Sequence, residues 1–180
     1  SQNYEAARER FAEVGVDTDT ALDQLADISI SMHCWQGDDV GGFESTKGTS
    51  GGGILATGNY PGKAGNLDEL RQDLEKAYSL IPGSHRLNLH AMYLDNGGKA
   101  VDRDEVEPAH FASWKDWAKA QKIGVDFNPS FFAHPMADSG FTLASNDAKI
   151  RDFWIEHGRR CREIGAFFGK ELGKPCVTNV

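Results

Sequence analysis

A parallel α/β fold is what this sequence predicts, and three observations predict it. Short segments that alternate apolar and polar residues are separated by longer amphipathic segments. Each amphipathic segment is long enough to carry the chain back across a sheet to a neighbouring parallel strand. Polar residues gather where each alternating segment passes into loop. At 180 residues with 39% hydrophobic side chains, the chain can bury one sizeable core, so residues 1–180 are read as a single domain.

Residues 4–14 and 18–25 have helical composition and are separated by Gly15. The period then changes: Ile28, Ile30 and Met32 alternate with Ser29 and Ser31, a strand pattern that ends at His33-Cys34-Trp35. A glycine-rich stretch fills residues 37–65. The spacing predicts a helix over 66–81, with Leu67, Leu70, Leu74, Ala77, Tyr78 and Ile81 on one face. Asn66 is its N-cap, Glu69 follows three residues on, and Pro82-Gly83 ends it. Residues 87–93 read as a second strand closed by Asn96-Gly97-Gly98. Pro108 opens the next helix, which buries Phe111, Trp114 and Ala118. Residues 124–128 form a third strand. A long helix over about 147–172 buries Ile150, Phe153, Trp154, Cys161, Ile164 and Phe168, and Gly173 with Pro175 stops it. Residues 176–180 begin a fourth strand.

This order, with its polar strand ends, favours the N-terminal half of a (β/α)8 TIM barrel preceded by a helical segment over an open doubly wound sheet, although periodicity alone does not separate the two. Four parallel strands ending at Val180 would leave two unpaired edges and no helix over the last strand, so the sequence reads as truncated.

The net charge of -8 argues against nucleic acid or an anionic membrane as partner, because phosphate recognition needs clustered Lys and Arg. A small neutral substrate fits better. No apolar run approaches the roughly 20 residues that span a bilayer, and the polar start does not resemble a signal peptide, so the expected location is cytoplasmic. The three cysteines, Cys34, Cys161 and Cys176, lack Cys-x-x-Cys spacing and read as reduced thiols.

If the strands form a barrel, chemistry belongs at their C-terminal ends. Alternation sends Leu87, Leu89, Val125 and Phe127 toward the helices, and Asn88, His90, Met92, Asp126 and Asn128 to the opposite face. Such a polar layer suits a polyhydroxylated ligand, and it equally suits side chains that hydrogen-bond one another. His90 can polarise or deprotonate a hydroxyl near neutral pH; a core histidine bonded to a carbonyl is the plainer reading. Asp38-Asp39 is either a metal-binding pair or a solvated turn, and neither His33 nor His134 has chelating neighbours nearby in sequence. His85, His110 and His157 read as ordinary surface or helix residues. Residues 58–64 lack the glycine spacing and the Ser or Thr after lysine of a phosphate loop, so the glycine-rich stretch reads as a lid, with Val40, Ile54 and Leu55 as an apolar wall.

Several long strings resemble the corresponding blocks of bacterial L-rhamnose isomerases, in order along nearly the whole chain: Ser31-Met32-His33-Cys34-Trp35-Gln36-Gly37-Asp38-Asp39-Val40, Thr57-Gly58-Asn59-Tyr60-Pro61-Gly62-Lys63-Ala64, Arg86-Leu87-Asn88-Leu89-His90-Ala91, Asp126-Phe127-Asn128-Pro129 and Gly140-Phe141-Thr142-Leu143. The resemblance implies a (β/α)8 barrel, assembled as a homotetramer, that interconverts L-rhamnose and L-rhamnulose with divalent metals, typically manganese (Mn2+). It implies that His90 lies beside the sugar's ring-oxygen end. It places Val40 and Ile54 in an apolar wall that Met92 and Tyr93 extend, with Trp35 in the same substrate-binding set. It also implies that the metal ligands and catalytic residues lie on later strands beyond Val180, so these 180 residues alone would be inactive. A non-catalytic half-barrel module and a related metal-dependent barrel enzyme are the alternatives.

Overall fold

A computed structural model describes residues 1–38, 40–44 and 61–179. Asp39, Ile54, Leu55 and Val180 lie outside the described residues. The elements follow in the order α1 (Gln2–Glu13), α2 (Thr18–Ala26), β1 (Ile30–His33), α3 (Leu67–Leu80), β2 (His85–His90), α4 (Ala112–Gln121), β3 (Gly124–Asn128) and α5 (Ala148–Leu172), with short 3-10 turns between β2 and α4 and after β3.

The strands form a three-stranded parallel sheet in the order β1-β2-β3. Its register sets Met32 beside Leu87 and His33 beside Asn88, then Asn88 beside Asp126 and His90 beside Asn128. Leu87, Leu89, Val125 and Phe127 are buried as the alternation requires, and Phe127 packs edge-on to Phe111 at 4.8 Å and against Phe168 of α5 at 5.8 Å. Burying each such side chain is worth about 1.5–3 kcal/mol, so this helix-facing layer is the principal source of stability.

Local signals place the helices. The Asn66 side chain accepts from Glu69 N at 3.0 Å, and the Glu69 carboxylate reaches back to Gly65 N at 2.7 Å, so two N-terminal amides of the α3 turn are satisfied together. Asp147 caps α5 through Lys149 N, and Gly173 ends it in the left-handed region at φ 62°. On α5 the face carrying Trp154, His157, Cys161, Ile164 and Phe168 is buried. By contrast α1 and α2 bury no residue, and Phe11, Val14, Leu22 and Leu25 stand exposed.

Two expected strands differ. β2 ends at His90, and Ala91–Tyr93 turn as a 3-10 segment. The Met92 carbonyl accepts from Phe43 N at 2.9 Å and the Tyr93 carbonyl from Trp114 Nε1 at 2.7 Å, so both serve the neighbouring loop and helix in place of a sheet ladder. Residues 176–179 run beside β3 without becoming a fourth strand. Phe127 N donates to the Val177 carbonyl at 2.9 Å, but Val177 N and Asn179 N are taken by the side chains of Asp126 and Asn128. A ladder needs those amides on backbone carbonyls.

Candidate functional site

The polar face of the sheet is stacked in three levels from the N-terminal to the C-terminal ends of the strands. At the lowest level the Asp126 carboxylate takes a two-point contact from Arg86, at 2.9 and 2.7 Å, with Ser31 Oγ at 2.6 Å and Val177 N at 2.9 Å. Burial works to raise the pKa of Asp126, and the bonds from Arg86, Ser31 and Val177 outweigh it, so the net shift is downward. Gly124 leaves room for this pair, since a Cβ there would lie 2.8 Å from Arg86 Cζ. At the middle level Asn128 Nδ2 donates to Asn88 Oδ1, and Asn128 Oδ1 accepts from Asn179 N at 3.0 Å. Asp126, Asn88 and Asn128, read from sequence as candidate ligands for hydroxyls, are thus engaged with one another and with the backbone.

The upper level is different. Trp35 stacks on His33, at 4.7 Å and 11°, and on His90, at 4.5 Å and 22°, the two histidine rings lying 6.0 Å apart in a three-ring cluster, with Phe132 edge-on to His90 at 6.4 Å. His90 is 6% exposed, and among the described residues neither ring nitrogen makes a well-formed hydrogen bond, the Pro129 carbonyl being close enough to interact with the ring but outside that geometry. Burial, aided by His33 and Arg103 and opposed by the Pro129 carbonyl, pushes its pKa down to about 4. The ring is therefore neutral at pH 7, with an N–H donor and an acceptor that no described residue satisfies in good geometry. Leaving them so costs about 1–3 kcal/mol for each buried group, which a ligand with adjacent hydroxyls would recover.

The loop after β1 fixes this stack from one side. Val40 N donates to the Trp35 carbonyl at 2.9 Å, with Val40 held in the left-handed region at φ 62°. That conformation costs a β-branched residue on the order of 1–2 kcal/mol and persists because Asp38 ties the turn down. Asp38 is 2% exposed and accepts from Tyr93 Oη at 2.7 Å and Gly42 N at 2.6 Å; burial raises its pKa, and these bonds oppose the rise. Gly42 sits at φ 71° where a Cβ would lie 2.8 Å from Met92 Cε. Val40, Met92 and Tyr93 are all buried, in the loop after β1 and the turn after β2. His134 lies away from the stack, bonded to Asp102 at 2.9 Å and stacked on Phe153.

Sequence reasoning missed a buried cluster beside the stack. Arg103, 1% exposed, contacts both oxygens of Glu44, one at 2.9 Å, and donates to the carbonyls of Ser130 and of Phe132, the latter at 3.0 Å. Its own carbonyl accepts from His157 Nδ1 at 2.8 Å, while His157 Nε2 accepts from Ser130 N at 3.1 Å. That pairing fixes a neutral His157, whose pKa burial lowers to about 4. A signal for His157 existed: it shares the apolar stripe of Trp154, Cys161 and Ile164. Arg103, within Asp102-Arg103-Asp104-Glu105, carried no such mark.

Among the described residues no group of three or more His, Cys, Asp or Glu side chains could hold a metal ion, so no chemical step is assigned to a metal held by these residues. Among them, too, no helix is long and apolar enough to cross a membrane.

The family model for L-rhamnose isomerase (RhaA) matches residues 1–180. This chain belongs to the L-rhamnose isomerase family. It is 60% identical over 179 residues to an L-rhamnose isomerase of Listeria monocytogenes serotype 4b, covering 99% of this chain and 42% of that protein. It is 57% identical to one of Rhodopirellula baltica over 98% of this chain and 41% of the relative, and 56% identical to one of Citrobacter koseri over 99% and 42%. The chain thus spans about two fifths of the length of these curated relatives.

Proposed function

We propose that this chain is the N-terminal part of an L-rhamnose isomerase that interconverts L-rhamnose and L-rhamnulose, and that His90, Trp35, Val40, Met92 and Tyr93 form part of its sugar-binding wall. The observation that carries the reading is the buried, neutral His90 ring, stacked on Trp35 and without a well-formed hydrogen bond among the described residues, in a chain matched over its whole length by the family. A sugar hydroxyl or ring oxygen supplies the partners that His90 lacks, with Trp35 holding the His90 ring in place by stacking. Bound there, His90 orients the sugar, and in ring opening its N–H proton passes to the ring oxygen while its other nitrogen takes the proton of the anomeric hydroxyl, so that the imidazole ends neutral. Val40, Met92 and Tyr93 back the pocket with apolar surface, and a methyl group in such a wall is worth roughly 1 kcal/mol, enough for preference and too little for strict exclusion.

The three parallel strands and their helices are, in this reading, part of a (β/α)8 barrel in a cytoplasmic homotetramer. Divalent metal, taken here as Mn2+, supplies Lewis-acid polarisation of the sugar's oxygens from residues on the later strands. Residues 1–180 alone turn over no sugar.

The test is an isomerisation assay of the full-length enzyme on L-rhamnose, L-mannose, L-lyxose and D-xylose. The expected order puts L-rhamnose first; a strong preference for D-xylose overturns the assignment. His90→Asn is expected to lower kcat/KM for L-rhamnose by about a hundredfold. Wild-type kcat/KM in that variant removes His90 from the site.

A further inference from the structure

Arg103 occupies a position that the sugar-binding reading does not use. It sits on the 3-10 turn Arg103–Glu105 in the connection from β2 to α4, where Asp102 accepts from its backbone N at 2.7 Å. Its guanidinium reaches Glu44 in the connection after β1 and the carbonyls of Ser130 and Phe132 in the connection after β3. One side chain therefore joins the connections that leave the C-terminal ends of all the strands of the sheet. Five fixed N–H donors in a planar fork suit this task, and a lysine ammonium in the same place would lose the two-point contact to Glu44. A guanidinium at 1% exposure, paired with a carboxylate that is 23% exposed, gives up most of its hydration to hold this geometry.

The consequence reaches His90 through Phe132. The Phe132 ring meets the His90 ring edge-on at 6.4 Å, and the Phe132 carbonyl is one of the acceptors held by Arg103. His157 secures the anchor from behind, bonding the Arg103 carbonyl on one nitrogen and Ser130 N on the other. Resting on the sugar-site assignment above, we infer that Arg103 is a positioning residue for substrate: it clamps the connections after β1 and β3 so that Phe132 closes one side of the His33–Trp35–His90 stack. It touches neither sugar nor metal in this role, and it acts on the affinity of the site.

The test uses the full-length enzyme with Arg103→Met, Arg103→Lys and Glu44→Gln. Arg103→Met is expected to raise KM for L-rhamnose about tenfold or more, with a smaller change in kcat. Arg103→Lys is expected to restore little of this, and Glu44→Gln, which leaves the buried guanidinium and its carbonyl partners in place, to raise KM about threefold. A scaffold role without positioning lowers the melting temperature and the fraction of active enzyme and leaves KM unchanged; that result for both Arg103→Met and Glu44→Gln overturns the inference.

A second readout separates this outcome from failure of the isomerase reading. The groups facing His90 are His33 from β1, the Cys34 thiol near its backbone, the Pro129 carbonyl and Arg103. The pH-dependent fluorescence that disappears in Trp35→Phe reports protonation of the rings stacked on Trp35, and it needs no substrate. Arg103→Met is expected to move that midpoint upward by about one pH unit, as His90 gains water and loses a neighbouring positive charge. An unmoved midpoint overturns the inference even if the enzyme isomerises rhamnose. A moved midpoint in an enzyme inactive on L-rhamnose keeps the clamp and discards the substrate.

Discussion

The two ends of one small sheet obey opposite rules. At the N-terminal ends of the strands, Arg86, Asp126 and Ser31 satisfy one another, and Val177 N completes the set. At the C-terminal ends, four residues beyond Arg86 on β2, the His90 ring is buried and makes no well-formed hydrogen bond among the described residues. The same alternation delivers both sets to the same face, so the difference lies in what the neighbouring strands offer at each level. The lower level trades desolvation for bonds within the fold. The upper level leaves donor and acceptor without a well-formed bond among the described residues, and that difference is what the proposed sugar site rests on.

This contrast can be broken from either end. Arg86→Met strands the Asp126 carboxylate, with its side chain 6% exposed, and should destabilise the full-length protein by about 3 kcal/mol, read from urea denaturation. A loss below about 1 kcal/mol would mean that water already reaches the pair. His90→Leu should do the reverse: stability unchanged or raised by up to about 1 kcal/mol in the same denaturation series, with sugar turnover lost. Destabilisation by His90→Leu as large as that of Arg86→Met would make His90 part of the scaffold.

The two ends should also separate on the pH axis. His90 and His157 have folded pKa values of about 4, below the ordinary 6.5, so the unfolded chain binds more protons between those values. Stability from each is therefore complete above pH 6.5 and is lost as pH falls toward 4, by at most about 1.4 kcal/mol per pH unit per histidine. The depressed Asp126 loses its contribution only below its ordinary 3.8, as pH falls through the folded value. Denaturation midpoints in His90→Gln and His157→Gln should each show a shallower slope across the histidine window, and an unchanged slope in both would refute the burial argument.

Smaller effects sharpen the picture. Gly42→Ala forces a Cβ toward Met92 at a positive φ and should cost about 1–2 kcal/mol, with a rise in sugar KM as the loop lifts from Tyr93. Arg8→Ala removes an ion pair to Asp19 whose partners are 49% and 61% exposed, and should change stability by less than about 0.5 kcal/mol. The same residue types meet in Arg86–Asp126, where burial and a two-point contact at 2.9 and 2.7 Å replace an exposed single contact at 3.5 Å.

The sequence made much of this readable. The period of two in residues 87–90 and 124–128 told which side chains share a face, and Leu87, Leu89, Val125 and Phe127 are buried accordingly. The period of 3.6 located α3 and α5, with Asn66 as the cap of α3 and Gly173 as the stop of α5. The strings shared with the family marked the strand ends around His33, Trp35 and His90. Where residues 91–93 and 176–179 left the expected strand, the cause was a bond to a side chain or loop distant in sequence: Trp114 to Tyr93, Phe43 to Met92, Asp126 to Val177 and Asn128 to Asn179.

What the sequence determined by itself is the alternation, the helical stripes, the caps and the family, because each is written in residues near one another along the chain. Tertiary structure decided which polar groups are consumed and which stay open. Asp126 finds Arg86 forty positions away, Arg103 finds Glu44 across 59, and His90 meets Trp35 and Phe132 yet makes no well-formed hydrogen bond among the described residues. Whether a buried donor is satisfied depends on distance and angle between groups that only the folded backbone brings within about 3 Å.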